Sequence, residues 1–407
     1  MSPFAPPASD PVAWVTQAGL AGTPELDLLR GFCERVVARD VPLARAQILI
    51  DTLHPIHEGR VFRWSTDRAW DVVEYGRTTD DEALAEKWRQ SPFHHLEQTG
   101  ETALRRRIGD RSPGEFPILA ELREQGQTEY LAFAHRFSGD GIIGEMDCVY
   151  SSWTTDRPGG FSEAEVETLS GLLPPLALAM KCASLSRIAG TLVETYLGRD
   201  AGQRVLKGRI ARGVADRIGA VLWFSDLRGF TQITDTTAPE HIIPLLNDYA
   251  EAVISAVHDA GGEVLKLIGD GILAIFKDDD PGRACRCALD AEALTRQRIA
   301  ALNRGRAGQG LPVTDAYLGL HVGEVFYGNI GSPDRLDFTV VGPAVNEASR
   351  IAALCRSIDR TVLVSSAFAA AAFAEDRTRL TPVGRHVLRG VAQPQELFTL
   401  GPTAPSR

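Results

Sequence analysis

Two carboxylates stand where chemistry could be done. Asp226 closes the apolar run VLWFSDL (221–227), and Asp270 follows the apolar run VLKLIG (264–269). Each sits at the end of a predicted strand, beside a turn or a helix start. Carboxylates so placed suit divalent metals and the phosphates those metals carry. Taken singly, either one could equally be a turn residue or a helix N-cap. Gly229, Phe230 and Thr231 come just after Asp226 and open a short helix, whose first N–H groups form a natural phosphate cradle. Ser225 and Arg228 read as packing or surface residues. Lys266 lies on an apolar strand four residues before Asp270, where an ammonium needs a partner unless it snorkels to water. Asn346 and Arg350 are four apart on a predicted helix and share one face. By itself such a pair is ordinarily a surface hydrogen bond. His54, His57, His94, His95, His135 and His321 show no ligand spacing with a carboxylate or cysteine and read as packing or surface residues.

The elements that must position these residues alternate between strand and helix patterns. VLWFSDL is the first strand. Residues 239–260 form a helix with Ile242, Leu245, Leu246, Tyr249, Val253 and Val257 on one face. Pro239 suits its first turn, whereas Pro244 kinks it or delays its regular part. EVLKLIG and ILAIFK make a hairpin around Gly269, Asp270 and Gly271. A helix is expected over 282–304 and a loop over 307–312. The strands AYLGLHVG, VFYGNI and DFTVVG precede a helix starting near Ala344, and LVSS and VLRGVAQPQELFTL add further strands. This order predicts a mostly antiparallel sheet with helices packed on it, an α+β layer fold.

FSDLRGFT, KLIGDG and DFTVVGPAVNEASR together resemble the signature segments of the class III nucleotidyl cyclases, the adenylyl and guanylyl cyclase catalytic domain. The resemblance covers about 215–400, and its motifs stand in the family's order. It implies a ferredoxin-like catalytic domain, assigned here to 215–402, that uses two Mg²⁺ or Mn²⁺ ions per site. Asp226 and Asp270 match the family's metal-binding aspartates, and the Leu227 carbonyl matches its backbone ligand. Lys266 and Thr339 match the two purine-reading positions. Lysine there can donate to adenine N1, and a threonine hydroxyl can accept from the adenine amino group, although it can also donate. Asn346 matches the ribose-orienting asparagine and Arg350 the transition-state arginine. Arg389 falls where the family usually has a phosphate-binding lysine; the charge is kept and the donor geometry changes. In the family, the metal aspartates and the remaining site residues come from different subunits. The resemblance therefore implies a homodimer with shared sites that converts ATP to 3′,5′-cyclic AMP and diphosphate. A guanylyl or mixed cyclase, or a nucleotide-binding regulatory module without turnover, are the other readings.

Composition bounds the rest of the chain. Its 407 residues suffice for two or three domains, with 44% hydrophobic and 24% charged residues. A net charge of −10 argues against a nucleic-acid partner, which calls for a basic face. The six cysteines are scattered without a C-x-x-C pair and read as reduced thiols of a cytoplasmic protein. The N-terminal MSPFAPPASDP lacks signal-peptide character. The apolar stretch Leu172–Met180 is short and holds Pro174 and Pro175, so no membrane insertion is expected.

Residues 1–12 read as a flexible tail. Residues 13–180 are expected to form an α/β sensor domain, with a helix near 24–40 and strands at 46–51, 60–65, 129–137 and 144–153. The late strand followed by Phe161, Ser162 and a helix with Glu165 resembles the end of a GAF domain, a small-molecule sensor fold. A PAS-like or an unrelated α/β domain is the alternative. Its signal, a small molecule or a protein, is unknown. Residues 181–214 read as a helical linker. Within it Leu185, Ile188, Leu192 and Tyr196 form a stripe able to pair with a second copy or to pack on its own domain.

Overall fold

A computed structural model of the chain describes residues 10–67, 70–109, 115–137, 142–144, 146–389 and 394–401. The chain divides into two compact units between Leu192 and Val193.

The first unit begins with α1 (Pro11–Leu20) and α2 (Glu25–Val37). Strands β1 (Arg45–Asp51), β2 (His57–Ser65) and β3 (Trp70–Gly76) follow, then α3 (Glu82–Arg89) and α4 (Pro92–Thr99). Next come β4 (Ala103–Arg107), α5 (Pro117–Glu124), β5 (Glu129–Arg136), β6 (Cys148–Thr155) and α6 (Glu163–Leu197). The six strands form one sheet in the order β3-β2-β1-β6-β5-β4, with every pair antiparallel. Phe32, Ile48, Trp153, Leu173 and Met180 belong to the core on one face, under α1, α2 and α6. Leu49, Leu96, Leu122, Tyr130 and Tyr150 belong to the core on the other.

Three expectations are corrected here. The expected tail ends early, because Asp10 caps α1 by accepting from the Ala13 N–H at 3.4 Å; residues 1–9 lie outside the described residues. The boundary at residue 180 falls inside a helix. α6 runs unbroken for 35 residues through Pro174 and Pro175. Its start is a reciprocal cap, with Ser162 Oγ accepting from the Glu165 N–H and Glu165 Oε2 accepting from the Ser162 N–H. Burial of Leu169, Leu172, Leu173, Leu176 and Met180 along its length offsets the hydrogen bonds the prolines forgo, a loss of about 3 kcal/mol for one interior proline. Finally, the stripe expected to pair with a second copy is largely spent on its own unit. Ile188 is buried in that unit's core, and Leu185 and Leu192 pack against it, which leaves Tyr196 exposed. Among the described residues α6 is the helix long and apolar enough, by length and composition, to cross a membrane.

The second unit takes up the end of α6 and continues with α7 (Arg199–Leu206), β7 (Ala215–Leu227), α8 (Phe230–Thr236) and α9 (Ile242–Asp259). Then come β8 (Glu263–Ile268), β9 (Gly271–Phe276), α10 (Pro281–Gly308), β10 (Ala316–Ser332), β11 (Arg335–Val341) and α11 (Pro343–Ser357). It ends with β12 (Val362–Ser365), α12 (Ser366–Ala371), α13 (Ala374–Arg377), β13 (Leu380–His386) and β14 (Gln395–Leu400). The sheet order is β13-β14-β12-β10-β7-β9-β8, and β11 folds back on β10. All pairs are antiparallel except β10 with β12. The mostly antiparallel α+β layer fold expected of this half is therefore observed.

Pro239 opens a separate 3₁₀ turn, and α9 starts only at Ile242, which puts Pro244 in its first turn, where no intrahelical N–H is missed. The two strands expected over 316–330 are one 17-residue strand, because β7 pairs with it in continuous register from Ala316 to Gly328. Trp223, Tyr249, Ile272 and Leu289 belong to the core on the face carrying α9 and α10. Leu222, Leu273, Tyr327, Phe338 and Ala348 belong to the core under α11.

Candidate active site

Asp226 is the penultimate residue of β7. β9 pairs with that strand as far as Ser225 opposite Ile272, so the turn entering β9 must lie beside Asp226. That turn consists of Gly269 and Asp270, closed by the pairing of Ile268 with Gly271. Gly269 takes φ +64°, a conformation that a residue with a Cβ rarely adopts. Register and turn thus bring the two aspartates together, and Asp270 Oδ2 accepts from the Leu227 N–H at 3.3 Å. A cavity of about 170 Å³ opens between them and α9, lined also by Ile243, Leu246 and Asn247.

The pair is electrostatically unbalanced. Burial pushes the Asp226 carboxyl up to about 6, and its hydrogen bond to Asp270 and Asp270's charge push the same way. Arg356, in the last turn of α11, opposes the rise. A carboxyl raised by burial and by a second carboxylate beside it makes a site in which an added cation is favourable. Among the described residues no group of three or more His, Cys, Asp or Glu side chains converges on a point. The donor set fits a hard divalent cation that takes its remaining oxygens from water and phosphate.

Gly229 immediately precedes α8 and its carbonyl accepts from the Ile233 N–H at 3.0 Å. Phe230 turns its ring toward the core, and Thr231 is exposed. Ser225 is buried and its Oγ accepts from Trp223 Nε1, which is the packing role expected of it.

Lys266 does not snorkel freely. Its Nζ donates to Asp337 Oδ2 at 2.5 Å, joining β8 to β11. Asp337 was not singled out from sequence; the signal was its place two residues before Thr339 on one strand, which puts both on the same face. Thr339 is only 5% exposed, and its Oγ1 is buried with no hydrogen-bond partner. An orphaned hydroxyl of that kind is costly unless something arrives to pair with it.

Asn346 and Arg350 lie on α11, which buries Ala344, Ala348, Ile351, Ala352 and Cys355 against the sheet. That leaves Asn346 exposed and Arg350 partly so, on the helix's other side. Arg350 precedes Arg356 by six residues, which is about 9 Å along the helix axis and about 120° around it. Among the described residues neither Asn346 nor Arg350 bonds to Asp226 or Asp270. Arg389 is exposed beyond β13, where Leu388 anchors the chain in a small core with Ile351 and Leu397. One chain therefore brings together the aspartates, and separately Lys266 with Asp337 of β11, while among the described residues no bond joins Asn346, Arg350 or Arg389 to the carboxylates. Large apolar side chains next to these groups are open to solvent. Leu267 and Ile268 sit between Lys266 and the Asp270 turn, and Phe326 opposes Val341 across β10 and β11.

Residues 215–401 match the family described as the adenylate and guanylate cyclase catalytic domain. An adenylate cyclase of Anabaena cylindrica is 36% identical over 157 residues, covering 38% of this chain and 30% of the relative. An uncharacterised protein of Mycobacterium tuberculosis is 35% identical over 214 residues, covering 52% of this chain and 38% of the relative. The chain thus spans about a third of the length of these curated relatives. Among solved structures, the guanylyl cyclase Cya2 is 29% identical and is covered over 97% of its length, against 47% of this chain, with a TM-score of 0.40. The segment 215–401 is a class III adenylyl/guanylyl cyclase catalytic domain.

Proposed function

We propose that the protein is an adenylate cyclase that makes 3′,5′-cyclic AMP and diphosphate from ATP at two sites shared across a homodimer. The observation that carries this reading is the Asp226–Asp270 pair, two carboxylates side by side at strand ends, with Asp226 raised in proton affinity as at a place built for cations rather than for a salt bridge. Two Mg²⁺ or Mn²⁺ ions bound there would activate the 3′-hydroxyl and neutralise the triphosphate. Asp226, Asp270 and the Leu227 carbonyl would hold them. The N–H groups that follow Gly229 at the start of α8 would cradle the β- and γ-phosphates.

In the reaction the ribose 3′-oxygen bonds to the α-phosphorus, the bond from that phosphorus to the bridging oxygen breaks, and diphosphate leaves with the electron pair. The 3′-hydroxyl proton passes to solvent. Asn346 orients the ribose, and Arg350 meets the charge that develops on the α-phosphoryl group. Arg389 contacts the triphosphate. Lys266 and Thr339 read adenine: the lysine donates to N1, and the orphaned Thr339 hydroxyl gains its missing partner from the 6-amino group. Asp337 holds the Lys266 ammonium in place for that contact.

The homodimer is supported by the absence, among the described residues, of any bond from Asn346 or Arg350 to the carboxylates of the same chain. A second copy would lay its α11 against the first chain's aspartates and cover the exposed Leu267, Ile268, Phe326 and Val341. The first unit regulates this arrangement in response to a signal of the cell interior, where all six thiols would stay reduced. Mixed use of GTP is the second reading, favoured by Thr339, because a hydroxyl both accepts and donates. Incubating the full chain with ATP or GTP, each with Mg²⁺ or Mn²⁺, tests both readings. Cyclic AMP in clear excess is expected; absence of either cyclic product refutes the proposal.

A further inference from the structure

We propose that His321 is a positioning residue which, through Glu347, sets the turn of α11 that carries Asn346 and Arg350. The inference rests on the reading of those two residues given above. His321 lies on β10 and is 7% exposed. Its ring engages a different element through each nitrogen. Nδ1 is 3.0 Å from Ser365 Oγ, and Nε2 is 3.7 Å from Glu347 Oε2.

The proton positions follow from counting donors. Ser365 is fully buried and its Oγ already accepts from the Phe368 N–H at 3.1 Å as the cap of α12. Its own hydroxyl proton needs an acceptor, and among the described residues that acceptor is His321 Nδ1. The neutral ring therefore carries its proton on Nε2, facing the Glu347 carboxylate. Glu347 is held from the other side by Gln395 Nε2, which donates to the same oxygen at 2.7 Å. Burial lowers the proton affinity of His321, and Glu347's charge opposes that shift.

Glu347 directly follows Asn346 and comes three residues before Arg350, on the same turn and a half of α11. The helix is pressed close to the strand here. A Cβ on Gly323 would come within 2.5 Å of the Ala344 Cβ and 3.1 Å of His321 Nε2. With no slack at that contact, the relay from Ser365 through His321 to Glu347 fixes the roll of α11 about its axis. Ser365 is too deeply buried to act as a nucleophile, so the three residues do not form a hydrolytic triad.

The test uses the full chain and three variants. His321→Asn keeps the reach to Ser365 and loses Glu347. Glu347→Gln keeps an acceptor for Gln395 and loses the charge. The third carries both changes. Each single variant is expected to lower kcat about 10-fold, as a small misplacement of catalytic groups does, with KM for ATP within about 2-fold. The double variant should be no slower than either single one, because the two residues act as one unit. Backbone amides 344–352 should exchange with solvent faster in all three, and those of β7 and β9 should not. Losses that multiply in the double variant, equal changes in kcat and KM, or unaltered exchange in α11 would overturn the proposal. If the unmodified chain makes no cyclic nucleotide, the cyclase reading fails separately. The exchange measurement then decides alone: faster exchange supports the relay, and unchanged exchange refutes it.

Discussion

Asp226 and Asp270 are placed by backbone register and a tight turn inside one unit, whereas Asn346 and Arg350 ride on the outer side of a helix, away from the carboxylates. The first pair carries unresolved electrostatic tension, with Asp226 raised by burial and by the neighbouring Asp270. The second, with Asn346 exposed and Arg350 partly so, makes no bond to a carboxylate among the described residues. Lys266 and Thr339 fall between these extremes: the lysine is tied to Asp337, and the threonine hydroxyl is buried without a partner. On the proposed reading, the difference means that one chain supplies the cation ligands and a second copy the groups that act on the nucleotide. Changes at the two places should accordingly fail in different ways.

The largest effect is expected at the carboxylates. Asp226→Ala or Asp270→Ala should abolish divalent-dependent turnover while circular dichroism stays native, because each removes a cation ligand rather than a core group. Near-normal activity of either variant at saturating Mn²⁺ would remove that aspartate from the site.

Arg350→Ala should cost about 10²–10³ in kcat, roughly 3–4 kcal/mol for one preorganised transition-state donor. Affinity for a non-hydrolysable ATP analogue should change far less. An equal loss in both would make Arg350 a ground-state phosphate ligand.

A smaller loss is expected at Lys266. Replacing it by Met removes a charged donor, worth about 1.5–3 kcal/mol, so kcat/KM for ATP should fall roughly 10- to 150-fold. Asp337→Asn, which loosens the lysine without removing it, should cost only a few-fold. If the Asp337 variant were the worse of the two, Asp337 rather than Lys266 would touch the base.

The smallest effect is on stability. The Asp226 carboxyl is raised in the folded chain, so folding is favoured by its proton. That contribution is fully present below about pH 4 and is lost as pH rises through about 6. Asp226→Asn mimics the protonated form and should raise the metal-free stability at pH 7 by about 1 kcal/mol, after allowing for solvent screening of a half-buried group. Divalent-cation affinity of the unmodified chain should rise with pH through the same range, since the cation displaces the proton. A lower melting temperature for Asp226→Asn at pH 7 would contradict the raised proton affinity of Asp226.

The sequence made the catalytic half more legible than the first unit. The apolar runs ending at Asp226 and Asp270, and the hairpin between 263 and 276, carry strong period and turn signals, and those elements lie where expected. Asp337 escaped notice because an acidic residue on a strand signals nothing until its partner across the fold is known. His321 was read only as a packing or surface residue, and Glu347 escaped, for the same reason: their spacing in sequence hides a contact made across α11 and β10. In the first unit, β3 is exposed along most of its length and so lacks the in-and-out alternation by which strands are read, and α3 is only eight residues long and buries none of them. α6 was divided at residue 180, between the first domain and a linker, because no local signal shows that the helix entered at Glu163 runs on past Met180 to Leu197. Leu173, Leu176 and Met180 before that point and Ile188 after it are buried in one core, which joins the two parts.

The central claim is that the two groups of residues meet only between chains. Asp226→Ala and Arg350→Ala chains, each nearly inactive alone, should regain activity when co-expressed. Random pairing makes about half of the dimers mixed, each with one site carrying both lesions and one carrying neither. Cyclic AMP production should then recover to about a quarter of the unmodified level. No recovery, with mixed dimers verified by differential tags and both variants folded, would show that each chain completes its own site.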